Sequence, residues 1–152
     1  RKQIVDFSDV YCVSSVGCIT KVDSAITSYE DLQNQIVCCS QGTNYEMMIE
    51  AIPGATLKTY QGQAAVGTAV AEATDGVVAG LTSINGSKKL ATTMLDADGN
   101  AMLKYFALED APADEYCMAF PKGSELIALF NEGIQALKDS GKLDEMIHYW
   151  LY

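Results

Sequence analysis

An α/β fold is predicted by the middle of this sequence, where strand and helix signals alternate. Three short apolar runs, "IVCC" (Ile36–Cys39), "TLKTY" (Thr56–Tyr60) and "GVVAGL" (Gly76–Leu81), are separated by two stretches of helical periodicity. The succession β-α-β-α-β is the pattern of a parallel-type sheet flanked by helices. The length of 152 residues suits a domain with its own apolar core. Hydrophobic residues at 49% against 20% charged place the chain with globular rather than disordered proteins.

Each element has a local reason. "QIVCCS" is β-branched and apolar, as a buried strand is, and adjacent strand side chains point to opposite faces. Cys38 and Cys39 should therefore part company and pack as small hydrophobes. The helix that follows carries Tyr45, Met48, Ile49 and Ile52 on one stripe and ends at Pro53-Gly54. The next repeats the stripe with Val66, Ala69, Val70 and Ala73. "SINGSKKLATTML" reads as helical after a turn at Asn85-Gly86. "DADGN" (Asp96–Asn100) has its glycine at the fourth place, where a calcium loop needs it at the sixth, so an acidic surface turn is expected. "YCMAF" (Tyr116–Phe120) reads as one further strand. Two helices split at Gly141 close the chain. The first has Ser124 as N-cap and Leu126, Phe130, Ile134 and Leu137 on one face; the second carries Leu143, Met146, Ile147 and Trp150. There are no internal repeats, low-complexity tracts or linkers.

Charge and composition exclude several functions. With 20 acidic against 10 basic residues the net charge is −10, a field that repels phosphate backbones, so no nucleic-acid partner is expected. Five cysteines cannot complete an internal disulfide set, no C-x-x-C spacing exists, and His148 is the single histidine. Neither a metal nor a cofactor is expected. No phosphate-binding loop or dinucleotide fingerprint is present, and His148 lies far along the chain from every nucleophile, so catalysis is not expected. No apolar run has the length of a membrane span, and no signal-like start is seen; the opening Arg1-Lys2-Gln3 reads as that of a mature product or a cut piece.

The stretch "CCSQGTNYEMM" (Cys38–Met48) places "QGT" between a strand and a helix. Helix-start N–H groups lack intrahelical acceptors and sit at the positive end of the macrodipole, where an anion is held. "TNYE" also spells a capping box, Thr43 with Glu46, which would satisfy some of those donors internally. The residues alone leave a plain N-cap and an anion site both open.

Three segments together resemble the extracytoplasmic amino-acid-binding proteins of ABC transporters, solute-binding family 3 with the type II periplasmic binding fold. "RKQIVDFSDVY" resembles the Arg-x5-Phe-Ser-Asp-x-Tyr signature entering the hinge. "SYEDLQNQIVCCSQGT" resembles the segment running into the Gly-Thr turn, with Asn34 where glycine is usual. "EYCMAFPKGSELIALFNEGIQALKDSGKLDEMIHYW" resembles the C-terminal end. The resemblance implies a two-lobed receptor that closes on a small ligand. Residues 16–113 would be lobe 2, residues 1–10 and 118–152 remnants of lobe 1, and residues 11–15 and 114–117 hinge strands. Most of lobe 1 would be missing before Arg1, leaving apolar helix faces that favour a homodimer or a domain swap.

By the same resemblance Arg1 clamps the ligand carboxylate, Ser40, Gly42, Thr43 and Asn44 line the helix-start pocket with the Asn44 N–H as carboxylate donor, and Tyr11 joins the site from the hinge. The family commonly holds the ligand ammonium with an aspartate; here Gly80 stands at that place. Either the ligand lacks a free α-amine or another group, Glu115, Asp114 or Thr82, holds it. The implied function is non-catalytic capture of an amino acid or organic acid for an ABC permease, outside the cytoplasm, in the periplasm or lipid-anchored at the cell surface. A ligand-sensing regulatory domain is the alternative, and a dehydratase-type enzyme on this fold a further one.

Overall fold

A computed structural model of the chain describes residues 4–151. In chain order it contains β1 (Val5–Phe7), β2 (Cys12–Ser14), β3 (Val16–Lys21), β4 (Ile36–Ser40), α1 (Tyr45–Glu50), β5 (Thr56–Tyr60), α2 (Gly62–Ala71), β6 (Ala79–Ser83) and α3 (Ile84–Thr93). There follow β7 (Leu103–Ala107), β8 (Asp114–Tyr116), β9 (Ala119–Pro121), α4 (Leu126–Asp139) and α5 (Lys142–Leu151). Two compact units result: one runs to Ser14 and resumes at Asp114, and the other is Ser15–Ala113.

The Ser15–Ala113 unit is built on one five-stranded sheet of order β5-β4-β6-β3-β7. β4 lies parallel to both β5 and β6, which is the β-α-β-α-β core expected from the alternating signals. The sheet is mixed rather than wholly parallel, because β3 runs antiparallel to β6 and to β7. These two strands are weak in sequence for a physical reason. β3 carries Gly17, whose absent Cβ lets α3 approach: a Cβ there would lie 2.3 Å from Ser87 Oγ and 2.8 Å from Ile84 Cα. β7, "LKYFA", breaks its apolar run with Lys104.

Helix packing divides the core into two clusters, one on each face of the sheet. Ile49 and Tyr45 of α1 pack with Val37, Cys39, Ala79 and Leu81. Val66 and Val70 of α2 pack with Ile19, Cys38, Leu90 and Leu103. Removal of each fully buried Ile or Leu from water contributes about 1.5–3 kcal/mol. Cys38 and Cys39 thus do face opposite ways. Ala73 does not continue the α2 stripe: it is exposed, in the left-handed region at φ 52°, just past the helix.

Other boundaries move for stated reasons. β6 starts at Ala79 rather than Gly76, because Thr74–Gly76 forms a single 3-10 turn with Asp75 at φ 52°. Asn85-Gly86 is not a turn before α3 but part of its first turn, with Ser83 accepting the Gly86 N–H at 3.1 Å. "DADGN" is a turn, Asp96 accepting the N–H groups of Asp98 and Asn100 at 2.9 and 2.8 Å. Those bonds hold its carboxyl below the usual range, that from Asn100 most of all.

In the other unit, "YCMAF" is not one strand. β8 pairs with β2 and β9 with β1, both antiparallel, and Cys117-Met118 lies between the two pairings. Gly141, at φ +71°, separates α4 from α5; Glu125 rather than Ser124 takes the N-cap place of α4, and Ser124 Oγ, one residue earlier, accepts the Leu126 N–H at 3.3 Å. Ile134 and Leu143 are buried, whereas Leu126, Phe130, Met146 and Trp150 stay exposed. No helix among the described residues is long and apolar enough to cross a membrane.

All five cysteines are free; Cys12, Cys18, Cys38 and Cys39 are buried and Cys117 is half-buried. Burial pushes the Cys38 thiol up to about 12 and Cys39 to about 11, and raises Cys18 further still. A raised folded pKa means the folded state holds its proton longer than the unfolded chain does. That contribution to stability is complete below the ordinary thiol value of 9.0 and is lost as pH climbs through 11 and 12. Urea midpoints measured from pH 7 to 11 should therefore stay level to about pH 9 and then fall; at pH 8 a thiol reagent should label Cys117 before the other four.

Candidate functional site

The carboxyl ends of parallel strands are where α/β sheets place ligands, since loops diverge there to the helices on either face. In the Ser15–Ala113 unit these are the ends of β5, β4 and β6. Cys39 pairs with Leu81, so the next step along each strand brings Ser40 of β4 beside Thr82 of β6. Ser40 also pairs with Tyr60 of β5.

Beyond Ser40 the chain makes the "QGT" turn. Gly42 adopts φ +79°, a left-handed conformation that side chains rarely take, although a Cβ there would meet nothing within 4 Å. Thr43 Oγ1 donates to the Ser40 carbonyl at 2.7 Å, and Glu46 Oε1 accepts the Gly42 N–H at 2.6 Å. The expected capping box is therefore re-cut. Glu46 reaches back as a box residue does, but to Gly42, while Thr43 ties the turn to β4 and Asn44 takes the N-cap place without a side-chain cap bond. Burial holds the Cys39 thiol protonated; its hydrogen bond with Thr43 works against that, and the nearby Glu46 charge works with it. Ser40 and Thr43 are half-buried; Gly42 and Asn44 are exposed.

A second turn of the same kind follows β5. "YQGQ" repeats the Gln-Gly of "SQGT", Gly62 has φ +78°, and the Gln61 side chain donates to that of Gln41 across the two strands. Gln63, in the first turn of α2, donates from Nε2 to Thr82 Oγ1 at 3.2 Å. Gly86 leaves room for this contact, since a Cβ there would stand 1.9 Å from Gln63 Nε2. The strand ends thus carry hydroxyls and three carboxamides. Gln41, Gln61 and Gln63 are not among the residues the sequence reading singles out; the repeated Gln-Gly directly after two strands was the available signal.

The remaining expected residues fall elsewhere. Gly80 does not reach this edge. Its missing Cβ would lie 2.9 Å from Val66 and 3.1 Å from both Ile19 and Val70, so that place faces the apolar cluster under α2. Thr82, two residues further on the same strand face, is buried and meets Gln63 at the start of α2. Tyr11 and Glu115 belong to the other unit. Tyr11 N–H bonds to the Tyr116 carbonyl, and Glu115, paired with Val13, is exposed along a groove of about 790 Å³ that Asp6 and Lys122 also line. In that groove Asp6 accepts the Gly123 N–H at 2.8 Å and pairs with Lys122 at 2.5 Å, which together hold its carboxyl below the usual range. Arg1 lies outside the described residues. No group of three or more metal-ligating side chains occurs among those described.

The sequence profile of the bacterial extracellular solute-binding proteins, family 3, matches residues 1–152. The chain is 31% identical over 159 residues to the arginine-binding extracellular protein ArtP of Bacillus subtilis, covering 99% of this chain and 58% of that protein. It is 28% identical over 154 residues to the ABC transporter glutamine-binding protein GlnH of the same organism, covering 99% and 53%. Among solved structures, the arginine-, lysine-, histidine-binding protein ArtJ from Geobacillus stearothermophilus superposes with a TM-score of 0.76 at 25% identity, over 99% of this chain and 64% of that one. The chain spans about half the length of the curated relatives it matches.

The packing of Gly80 makes a direct test of placement. Gly80→Asp should bury an unpaired carboxylate among Val66, Val70 and Ile19 and lower stability by several kcal/mol, on the order of 3–5. A urea midpoint unchanged from wild type would show that position 80 opens to the sheet edge after all.

Proposed function

The chain belongs to the bacterial extracellular solute-binding proteins, family 3, and from that premise we propose that it binds a small carboxylate-bearing solute, an amino acid or a relative of one, without catalysing a reaction on it. The observation that carries this reading is the polar edge at the ends of β5, β4 and β6, where Ser40, Thr43, Gln63 and Thr82 gather on a rigid parallel core. Fixed hydroxyls and amides on strand ends orient a polar ligand at little entropic cost. The names of ArtP, GlnH and ArtJ, all binding proteins, support the same class. In this reading Arg1 and the turn from Gly42 to Asn44 meet the ligand carboxylate, while Tyr11, Thr82 and Glu115 stand as the further contacts. The bound solute is handed to an ABC permease, and the protein works outside the cytoplasm, periplasmic or lipid-anchored. Its partners are thus the solute and the permease, and neither a metal nor a cofactor takes part.

Isothermal titration against a panel of amino acids and organic acids tests the reading. Saturable binding of at least one is expected, with each bound molecule recovered chemically unchanged. Loss of an α-amino acid's affinity in Glu115→Gln but not in Thr82→Ala would assign the amine to Glu115. Turnover of a bound ligand would overturn the non-catalytic reading.

The exposed Leu126, Leu129, Phe130 and Trp150 lead us to include self-association in the proposal. Light scattering at high protein concentration should then report a dimer; a monomeric mass would remove this part and leave the ligand reading intact.

A further inference from the structure

The Gln63–Thr82 pair has a hydrogen-bonding asymmetry that bears on which solute fits. Gln63 Nε2 donates to Thr82 Oγ1 at 3.2 Å. This leaves the Gln63 carbonyl oxygen as an acceptor and the Thr82 hydroxyl hydrogen as a donor, side by side, and among the described residues neither has a further partner. Rotating the amide by half a turn exchanges the roles without changing the outcome. The hydroxyl would then donate to the Gln63 oxygen, and the pair would present an amide N–H with a hydroxyl lone pair. Either way the pair offers one donor and one acceptor together.

We propose that Gln63 and Thr82 form a selectivity pair for a neutral group that itself offers a donor and an acceptor side by side, a primary carboxamide above all. The inference rests on the solute-binding reading and names the chemistry of the ligand's distal end. A guanidinium or ammonium carries donors only and a carboxylate acceptors only, so each leaves one member of the pair unmatched. The neighbouring side chains agree, since Gln41 and Gln61 form a second neutral amide pair on the adjoining strand ends. Among the charged residues, Glu46 is engaged with the Gly42 N–H, and Glu109 and Asp110 follow β7, two strands away from β6 in the sheet. Gly86 sets the position of the pair, because any Cβ there occupies the space of the Gln63 amide.

Titration of the whole chain with glutamine, arginine and glutamate separates the outcomes. Wild type should bind glutamine more tightly than either charged amino acid. Gln63→Glu, which replaces the amide by a carboxylate of the same shape, should move the glutamine-to-arginine affinity ratio toward arginine by about tenfold or more, one hydrogen-bonding partner's worth. Gly86→Ala, which displaces Gln63 without changing its chemistry, should weaken glutamine selectively, with circular dichroism confirming the fold of each variant. A wild-type preference for arginine or glutamate, or a ratio that Gln63→Glu leaves unmoved, would overturn the selectivity pair while leaving solute binding standing. Failure to bind any of the three, together with silence across the wider panel, would overturn the solute-binding reading itself.

Discussion

The Ser15–Ala113 unit depends on the two-sided pairing of β6. Ala79, Gly80 and Leu81 bond to β4 in parallel, while Ala79–Ser83 bond to β3 in antiparallel register. β6 therefore joins the parallel half of the sheet to the antiparallel half. A slip of one residue would turn Leu81 out of the α1 cluster and drive it toward α2, with Thr82 following into the opposite face. Gly80 tightens the constraint. A Cβ at Gly80 would stand 2.9 Å from Val66 and 3.1 Å from Ile19 and Val70, too close for a side chain. The register that fills the core is the same register that delivers Thr82 to the sheet edge beside Gln63.

How far this was legible in the sequence depends on what each signal measures. Hydrophobic alternation reads burial, and burial on both faces made β4 plain; it also predicted the parting of Cys38 and Cys39. β3 and β7 escaped although Val16, Ile19, Thr20, Tyr105 and Phe106 are good strand formers, because Gly17 and Lys104 interrupt their apolar runs. Gly17 serves the approach of α3, and Lys104 reaches the Ser24 carbonyl at 2.5 Å instead of breaking the strand. Asn34 illustrates the reverse case. It stands where glycine is usual in the family the segment resembles, and its φ of 59° shows why that place favours glycine: asparagine is among the few residues that tolerate the left-handed region. Gly54 faces its side chain, so two residues far apart in composition rules settle one turn together.

Side-chain roles at the edge were harder to read than the edge itself. The "QGT" motif drew attention to backbone donors, and the structure shows Glu46 and Thr43 spending themselves within that turn. The amides that matter most to the edge came from the quieter repeat, the Gln-Gly after β5. Spacing from an expected acidic position pointed at Gly80, but strand pairing decides where a side chain emerges, and pairing is not visible in a single sequence. A three-residue turn at Thr74–Gly76 was enough to shift the start of β6 from Gly76 to Ala79.

The pairing of β2 with β8 carries a different consequence. Ser14 is the register partner of Asp114, so the chain leaves for the Ser15–Ala113 unit and comes back at adjoining positions of one antiparallel ladder. Partners across such a ladder sit about 5 Å apart. The two ends of the inserted unit therefore leave and re-enter the ladder at one narrow doorway. The unit of 15–113 is in that sense a cassette. Its own core and strand ends go with it, and a lineage could exchange one such cassette for another, changing what is recognised without rebuilding the strands that carry it.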